Sequence, residues 1–365
     1  MRIGRPVIIL PLLRMAVAVY SAWSAVPEHE PAGAMDFSAL PHASITVDSR
    51  RGQLAIELPA VDLPAGSGHD GPQPPACVGE FPVSGAIYQF HAEVIDENGR
   101  VLPADLLHHV NVMDPSEREL FLPISRRILA SGRETGVVRL PWILFGARVH
   151  AGERILANAM LHNPTAVSYH GVRVRMVMSY VPERRPWPFF SVVPWQLDVA
   201  FPVGDKSFDL PPGRSERSYE GSPAVPGDLV VIGGHMHEYG RTIEFWDATT
   251  NKLLWHGEPA PASQGEPKAV PLGRLYGLTR MGMHITPEHR YRVRVIYENP
   301  TGHVVEMGGM GVVGGLFVPD RGAIWPTTET SDSLYRQDLR HFLGLNGSAS
   351  RGDGMSSHIH SHADR

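Results

Sequence analysis

The chain has a single cysteine, Cys77, in 365 residues, so no intramolecular disulfide can form whatever the redox state of its compartment. It has no run of Lys and Arg, and its formal net charge of −5 excludes a general nucleic-acid binder built on a basic arm. Long stretches of 3.6-residue hydrophobic period are lacking as well. Together with 37 glycines and 33 prolines, this argues against helical architecture and for an all-β protein with many turns. What is present is ample material for a core: 42% of residues are hydrophobic and 19% charged. The length exceeds what one hydrophobic core ordinarily serves, which predicts two domains.

The N-terminus reads as an export signal. Arg2 and Arg5 precede apolar residues 7–13 and 15–20, and small residues follow at Ala22, Ser24 and Ala25. Residues 1–25 are therefore expected as a signal peptide and the protein as extracytoplasmic, periplasmic or secreted. Arg14 interrupts the apolar run, so an uncleaved membrane anchor is the alternative. Residues 26–43 form a Pro/Ala-rich tether. Strands are expected at 44–47, 53–58, 86–95, 106–112, 154–161 and 172–180, with Pro/Gly-rich loop chemistry over 64–82. Asp96-Glu97-Asn98-Gly99 signals a hairpin turn. A first strand-rich block spans 44–180, a Pro- and Arg-containing linker 181–194 and a second block 195–320. Residues 321–365 read as a largely disordered tail with a short helix near 339–345. No internal repeat is evident.

Histidine placement is the strongest chemical signal. In Gly233-Gly234-His235-Met236-His237-Glu238-Tyr239-Gly240, an apolar run leads into two imidazoles one residue apart. On a strand, residues i and i+2 share a face, so His235 and His237 can offer two nitrogens to one ion, with Met236 facing away. A lone His-x-His is also compatible with partly exposed strand histidines. His108-His109 lies within an apolar strand, where neighbours face opposite ways, so both reach one ion only at a bulge, a twist or a strand end. His162 closes the strand that leads into Asn163-Pro164. His91 and His170 are candidates either to orient ligands or to be ordinary surface histidines, and Asp105, before the His-His pair, either bonds an imidazole or is solvated. His284 and His289 flank a turn and are expected in solvent. His358, His360 and His362 alternate in the tail as a weak metal-loading tract does.

These motifs resemble the copper type II, ascorbate-dependent monooxygenases, the family of peptidylglycine α-hydroxylating monooxygenase and dopamine β-monooxygenase. The likeness covers roughly residues 80–318. It includes Leu140-Pro141-Trp142 and Phe145-Gly146 between the first-block histidines, Leu210-Pro211-Pro212-Gly213, Tyr297-Glu298-Asn299 and Gly308-Gly309-Met310-Gly311. The resemblance implies two tandem, jelly-roll-like β-sandwich domains facing across a cleft, with one copper in each. It implies that His108, His109 and His162 hold an electron-transfer copper and that His235 and His237 hold the copper where oxygen binds. Ascorbate or a similar reductant and O₂ would act with a small organic substrate, hydroxylated at an aliphatic C–H.

The family's third ligand at the oxygen-binding copper is a methionine. Counting forward from Gly308-Gly309 puts Gly315-Leu316 at that position, and neither side chain can coordinate. Met310 or Met307 would substitute if the strand register differs by a bulge. A thioether favours Cu(I), so its loss would weaken the reduced site. Two rival readings stand beside the enzyme. One is a copper carrier without turnover. The other is a metal-free β-sandwich that binds a ligand through aromatics such as Trp187, Phe189, Phe190 and Trp195. No nucleic-acid partner is expected, and a membrane only if the N-terminal segment is retained.

Overall fold

The computed structural model describes residues 36–344 apart from 69–70, 134, 184–187, 201–205 and 261–267. The segment expected as a signal peptide, the expected tether up to residue 35, Trp187 and the terminal histidines lie outside the described residues. The described residues fall in one compact unit. Within it the chain is all-β, in two sandwiches.

The first sandwich is built from β1 (Ser44–Asp48), β2 (Gln53–Glu57), β3 (Val61–Leu63), β4 (Cys77–Glu80), β5 (Gly85–Ile95), β6 (Leu107–Arg118), β7 (Ser125–Gly132), β8 (Val138–Arg139), β9 (Phe145–Val149), β10 (Arg154–Leu161), β11 (Tyr169–Pro182) and β12 (Phe190–Ser191). One sheet runs β1-β2-β11-β5-β9-β12, with β3 on β11 and β8 on β5; the other runs β4-β10-β6-β7. The second sandwich contains β13 (Val193–Asp198), β14 (Phe208–Leu210), β15 (Gly213–Gly221), β16 (Gly227–Met236), β17 (Gly240–Asp247), β18 (Lys252–Gly257), β19 (Lys268–Arg274), β20 (Met283–Ile285), β21 (Tyr291–Asn299), β22 (Val305–Gly309) and β23 (Gly311–Pro319). Its sheets run β13-β23-β16-β19, with β20 on β16, and β15-β21-β17-β18, with β14–β22 as a separate ribbon.

The strand orders β2-β11-β5-β9 and β13-β23-β16-β19 correspond, as do β4-β10-β6-β7 and β15-β21-β17-β18. The two halves therefore share one plan, which the sequence did not disclose as a repeat. Its clearest marks are Asp62-Leu63-Pro64-Ala65-Gly66 with Asn163-Pro164-Thr165, and Asp209-Leu210-Pro211-Pro212-Gly213 with Asn299-Pro300-Thr301. These identities are short and far apart, and only the fold shows that they mark equivalent places.

In each half the buried asparagine ties its own turn to the Leu-Pro loop. Asn163 Nδ2 donates to the carbonyls of Pro64 (2.9 Å) and Val167 (2.7 Å), while its Oδ1 accepts from Thr165 N and Oγ1. Asn299 Nδ2 donates to Leu210 (3.1 Å), Pro211 (3.1 Å) and His303 (2.8 Å), and its Oδ1 accepts from Thr301 N and Oγ1. Beside each turn a carboxylate caps a left-handed residue. Asp62 accepts from Gly171 N at φ +59°, and Asp209 from Met307 N at φ +53°.

Most expected strands are present, and the Asp96–Gly99 turn closes as anticipated, with Gly99 at φ +77° and Gly99 N donating to Asp96 O. Three expectations need revision. Residues 77–80, inside the stretch read as loop, form β4, which pairs with β10 at the edge of its sheet while Cys77, Val78 and Phe81 bury apolar surface. The Cys77 thiol is consequently inert, its pKa pushed up to about 11 by burial. The described part of the linker is ordered, since Phe190 and Ser191 pair in parallel with Phe145 and Gly146 before β13 begins.

The third revision concerns the tail. Residues 321–344 strap back onto the first sandwich and end in α1 (Ser333–Phe342), which starts six residues earlier than the helix expected near 339. The early start follows from Asp332, whose carboxylate caps Leu334 N and Tyr335 N. Trp325 Nε1 donates to Arg118 O (2.9 Å), and Arg127 grips Asp338 with two bonds of 2.7 and 2.8 Å.

The sandwiches are joined by more than the chain crossing. The tip of the β6–β7 hairpin places Leu120, Phe121, Leu122 and Ile124 in the second core, where Phe121 meets Trp195 at 5.6 Å between ring centroids. A separate cluster around Phe145, Val192 and Val230 seals the contact from the other side. At the root of the hairpin tip Glu119 is fully buried, accepting from Gln196 N (2.9 Å) and Arg127 N (3.3 Å). Burial pushes its carboxyl from 4.5 up to about 7, despite the neighbouring Arg127.

Below pH 4.5 Glu119 is protonated in both folded and unfolded chains, and its contribution to stability is fully present. As pH rises from 4.5 to about 7 the unfolded chain releases the proton that the folded chain retains, so stability falls; above about 7 the loss levels off. Glu119→Gln is expected to flatten this part of the pH profile of the urea midpoint, even though it removes one acceptor. An unchanged slope would assign the titration elsewhere, Glu153 being another, half-buried carboxyl pushed up to about 7.

Candidate metal centres

In the first sandwich, β6 and β10 lose register where the histidines lie. Met160 pairs with His109 and Leu161 with Leu107, so His108 is the extra residue of a β-bulge. This is the condition under which adjacent strand histidines can approach one point. His109 shares the outer face of the β4-β10-β6-β7 sheet with Asn111, Asn158 and Met160, while Val110 and Val112 point into the core. His162 comes immediately after β10 and donates its N–H to Leu106 O (3.1 Å).

The His108 ring centroid lies 5.2 Å from that of His109 and 5.9 Å from that of His162. Two imidazoles that share an ion through metal–nitrogen bonds of about 2.0–2.1 Å hold their centroids about 5–6 Å apart. As the side chains stand, no group of three or more His, Cys, Asp or Glu among the described residues converges on one ion position. The spacing and donor type fit a metal; closing onto it takes rotation about the broad χ2 wells of histidine.

Two residues that pattern reading passed over set this end of β10. Gln73, from the Pro/Gly-rich stretch, receives Leu161 N on Oε1 (2.6 Å) and donates Nε2 to Leu161 O (2.8 Å), occupying both backbone groups beside the bulge. Asn163 locks the next turn. The repeated Asn-Pro-Thr was the signal that could have drawn attention to it. His91 lies within β5, paired with Val177, and His170 is exposed beside Asp62 at 3.5 Å. Asp105 is exposed in a short 3₁₀ turn just before β6.

In the second sandwich His235 is near the end of β16, opposite Val312 of β23, and His237 follows just past the strand. Their ring centroids are 5.8 Å apart with planes at 86°. Met236 between them is fully buried in the core, as alternation predicts. Tyr297 gathers the surrounding backbone: its hydroxyl accepts from His237 N (3.0 Å) and Met310 N (3.0 Å) and donates to Met310 O. Met310 itself stands at the break between β22 and β23. Met307 is 46% exposed on the β14–β22 ribbon, where Ser207 Oγ lies 3.9 Å from its sulfur.

The positions reached by counting do not belong to this site. Gly315 has no room for a side chain, because a Cβ there would lie 1.9 Å from Val231 O. Leu316 pairs with Val231 and packs in the junction, four residues along β23 from Val312. At the usual rise that is about 13 Å. Asp198 is closer in register, in the lateral row Asp198–Val312–His235–Ala269. Burial raises its pKa, with Lys206 3.9 Å away as the nearest cation.

The remaining candidates have other roles. His284 contacts Asp228 at 3.3 Å, and the Asp247 carboxylate accepts from His289 Nδ1 at 2.7 Å, so His289 does not face solvent alone. Trp195 is a core residue at 3% exposure, and Phe190 packs at the junction.

No protein-family model matches this chain, and no curated protein matches it. Among solved structures, the major capsid protein P2 of bacteriophage PM2 is similar at 11% identity, covering 74% of this chain and 100% of that one with a TM-score of 0.34. PNGase F, a glycosylasparaginase from Flavobacterium meningosepticum, is similar at 10% identity, covering 73% and 96% with a TM-score of 0.34. Nothing about function follows from likenesses at this level.

Tyr297→Phe leaves the His237 and Met310 backbone groups short of a partner, at about 1–3 kcal/mol for each buried group. The expected loss of stability is read from the urea midpoint with an unchanged m-value. A midpoint equal to that of the parent would show that the hydroxyl does not pin the site.

Proposed function

We propose that the chain is a copper-dependent monooxygenase that hydroxylates an aliphatic C–H of a small organic substrate with O₂ and an ascorbate-like reductant. The observation that carries this reading is the gathering of five imidazoles into two groups. One is assembled by a bulge and a strand end, the other by i and i+2 positions, each with centroid spacings suited to a shared ion. His108, His109 and His162 would hold one copper, and His235 and His237 the other. Copper cycling between Cu(II) and Cu(I) supplies one-electron delivery and oxygen activation, and imidazole suits both oxidation states.

The third donor at His235 and His237 is a thioether from Met310 or Met307. Met310 is favoured by the Tyr297 hydroxyl that binds its backbone beside that of His237. A different observation favours Met307. It adopts φ +53° at the position where the first sandwich has Gly171 at φ +59°. Left-handed backbone costs a residue with a side chain roughly 1–2 kcal/mol relative to glycine. Retaining methionine there is understandable if its side chain is used.

Copper loading of the purified protein, followed by removal of loosely held ion, tests the reading together with ascorbate-driven O₂ uptake. Two coppers per chain and uptake abolished by His235→Ala are expected. Copper without uptake would identify a carrier, and no retained copper would leave a metal-free β-sandwich. Met307→Leu and Met310→Leu separate the thioethers, because only the true ligand is expected to lower Cu(I) affinity, by about tenfold or more for loss of a soft donor.

A further inference from the structure

Three segments meet where the sandwiches touch, and their apolar side chains are not all used in the contact. Phe189 N donates to Ile143 O (2.9 Å), Phe190 N donates to Leu144 O (2.8 Å), and the Phe145 ring lies 4.7 Å from that of Tyr276. Leu144, Phe145, Phe190 and Tyr276 thereby form the packed junction. Their sequence neighbours stand out in solvent: Trp142 is 45% exposed, Ile143 53%, Phe189 75% and Leu278 107%. Leu278 occupies the tip of a turn closed by Gly277 N donating to Arg280 O (2.9 Å). Isolated exposed apolar residues are ordinary on protein surfaces. Four large ones springing from one cluster mark a docking surface.

The charge around them points to the partner. Residues 136–148 carry Arg139 and Arg148, and residues 272–283 carry Arg274 and Arg280; neither stretch contains an Asp or Glu. Such one-sided basicity runs against a chain of net charge −5. Arg139 and Arg280 are exposed. Protruding Trp, Phe, Ile and Leu side chains with arginines beside them match the boundary between acyl chains and acidic headgroups.

We propose that this junction end of the molecule docks on an anionic lipid surface, with Trp142, Ile143, Phe189 and Leu278 entering the interface and Arg139 and Arg280 meeting the headgroups. The proposal is independent of the metal centres. Docking would bring the protein to substrates or reductants held at a membrane without any spanning segment.

The full-length chain is compared with a variant carrying Trp142→Ser, Ile143→Ser, Phe189→Ser and Leu278→Ser, and with Arg139→Glu/Arg280→Glu. All three retain the same N-terminal segment, so any difference between them reports on the patch. The measurement is cosedimentation with mixed phosphatidylcholine–phosphatidylserine vesicles, with near-UV circular dichroism as the check of fold. Each variant is expected to partition about tenfold less than the parent or weaker, and added salt to weaken the parent more than the arginine variant. Equal partitioning by the folded variants overturns the proposal. So does light scattering that finds a dimer in the parent and a monomer in the serine variant, since the patch would then belong to a second copy.

Discussion

Two buried asparagines organise this molecule. Asn163 and Asn299 each satisfy carbonyls of a Leu-Pro loop that the chain left about 100 or 90 residues earlier, and each holds its own Pro-Thr turn closed with the opposite end of the amide. Only a side chain with paired donors and an acceptor can do both at once. The clamp therefore fixes where β10 and β21 end, and both functional candidates follow from it. His162 is the residue before Asn163, and Tyr297, which ties His237 to Met310, lies two residues before Asn299.

On this shared frame the halves have diverged in chemistry. Both carry the same bulge: Leu107 and His109 oppose Leu161 and Met160 in one, and Gly240 and Thr242 oppose Tyr297 and Ile296 in the other. The first half sets histidine at the extra position and the second sets Arg241. The reverse holds on the other sheet. There the row Glu57–Arg175–Glu93 is an ion-paired surface, with Arg175 2.6 Å from Glu93, whereas the corresponding row in the second half is Asp198–Val312–His235. Each sandwich thus offers imidazoles at a place where its counterpart does not. Two different groupings of histidine come from one topology.

The junction joins the halves through shared core residues. The β6–β7 tip lies in the second core, and the C-terminal strap returns to the first sandwich through Arg127 and Asp338. Glu119 and Asp198 are buried carboxyl groups in this region, and backbone N–H donors and nearby cations counter only part of their desolvation. A sequence boundary drawn between 180 and 195 marks where the chain crosses, but the cores themselves exchange residues across it.

What was legible in the sequence is local. Alternating apolar residues located β1, β2, β5 and β10 closely, Asn98-Gly99 located a turn, and period-2 geometry put His235 and His237 on one face with Met236 in the core, because these depend on neighbours within a few residues. The composition decided the all-β class for the same reason. Tertiary structure alone decided the rest. The bulge that lets His108 and His109 approach, the role of Gln73, the exclusion of Gly315 and Leu316 from the second site, the common plan of the two sandwiches and the return of the C-terminal helix all depend on hydrogen bonds between residues tens to hundreds of positions apart. Strand register and loop-to-loop clamps are set by which distant backbone groups are left to pair, and no local pattern records that.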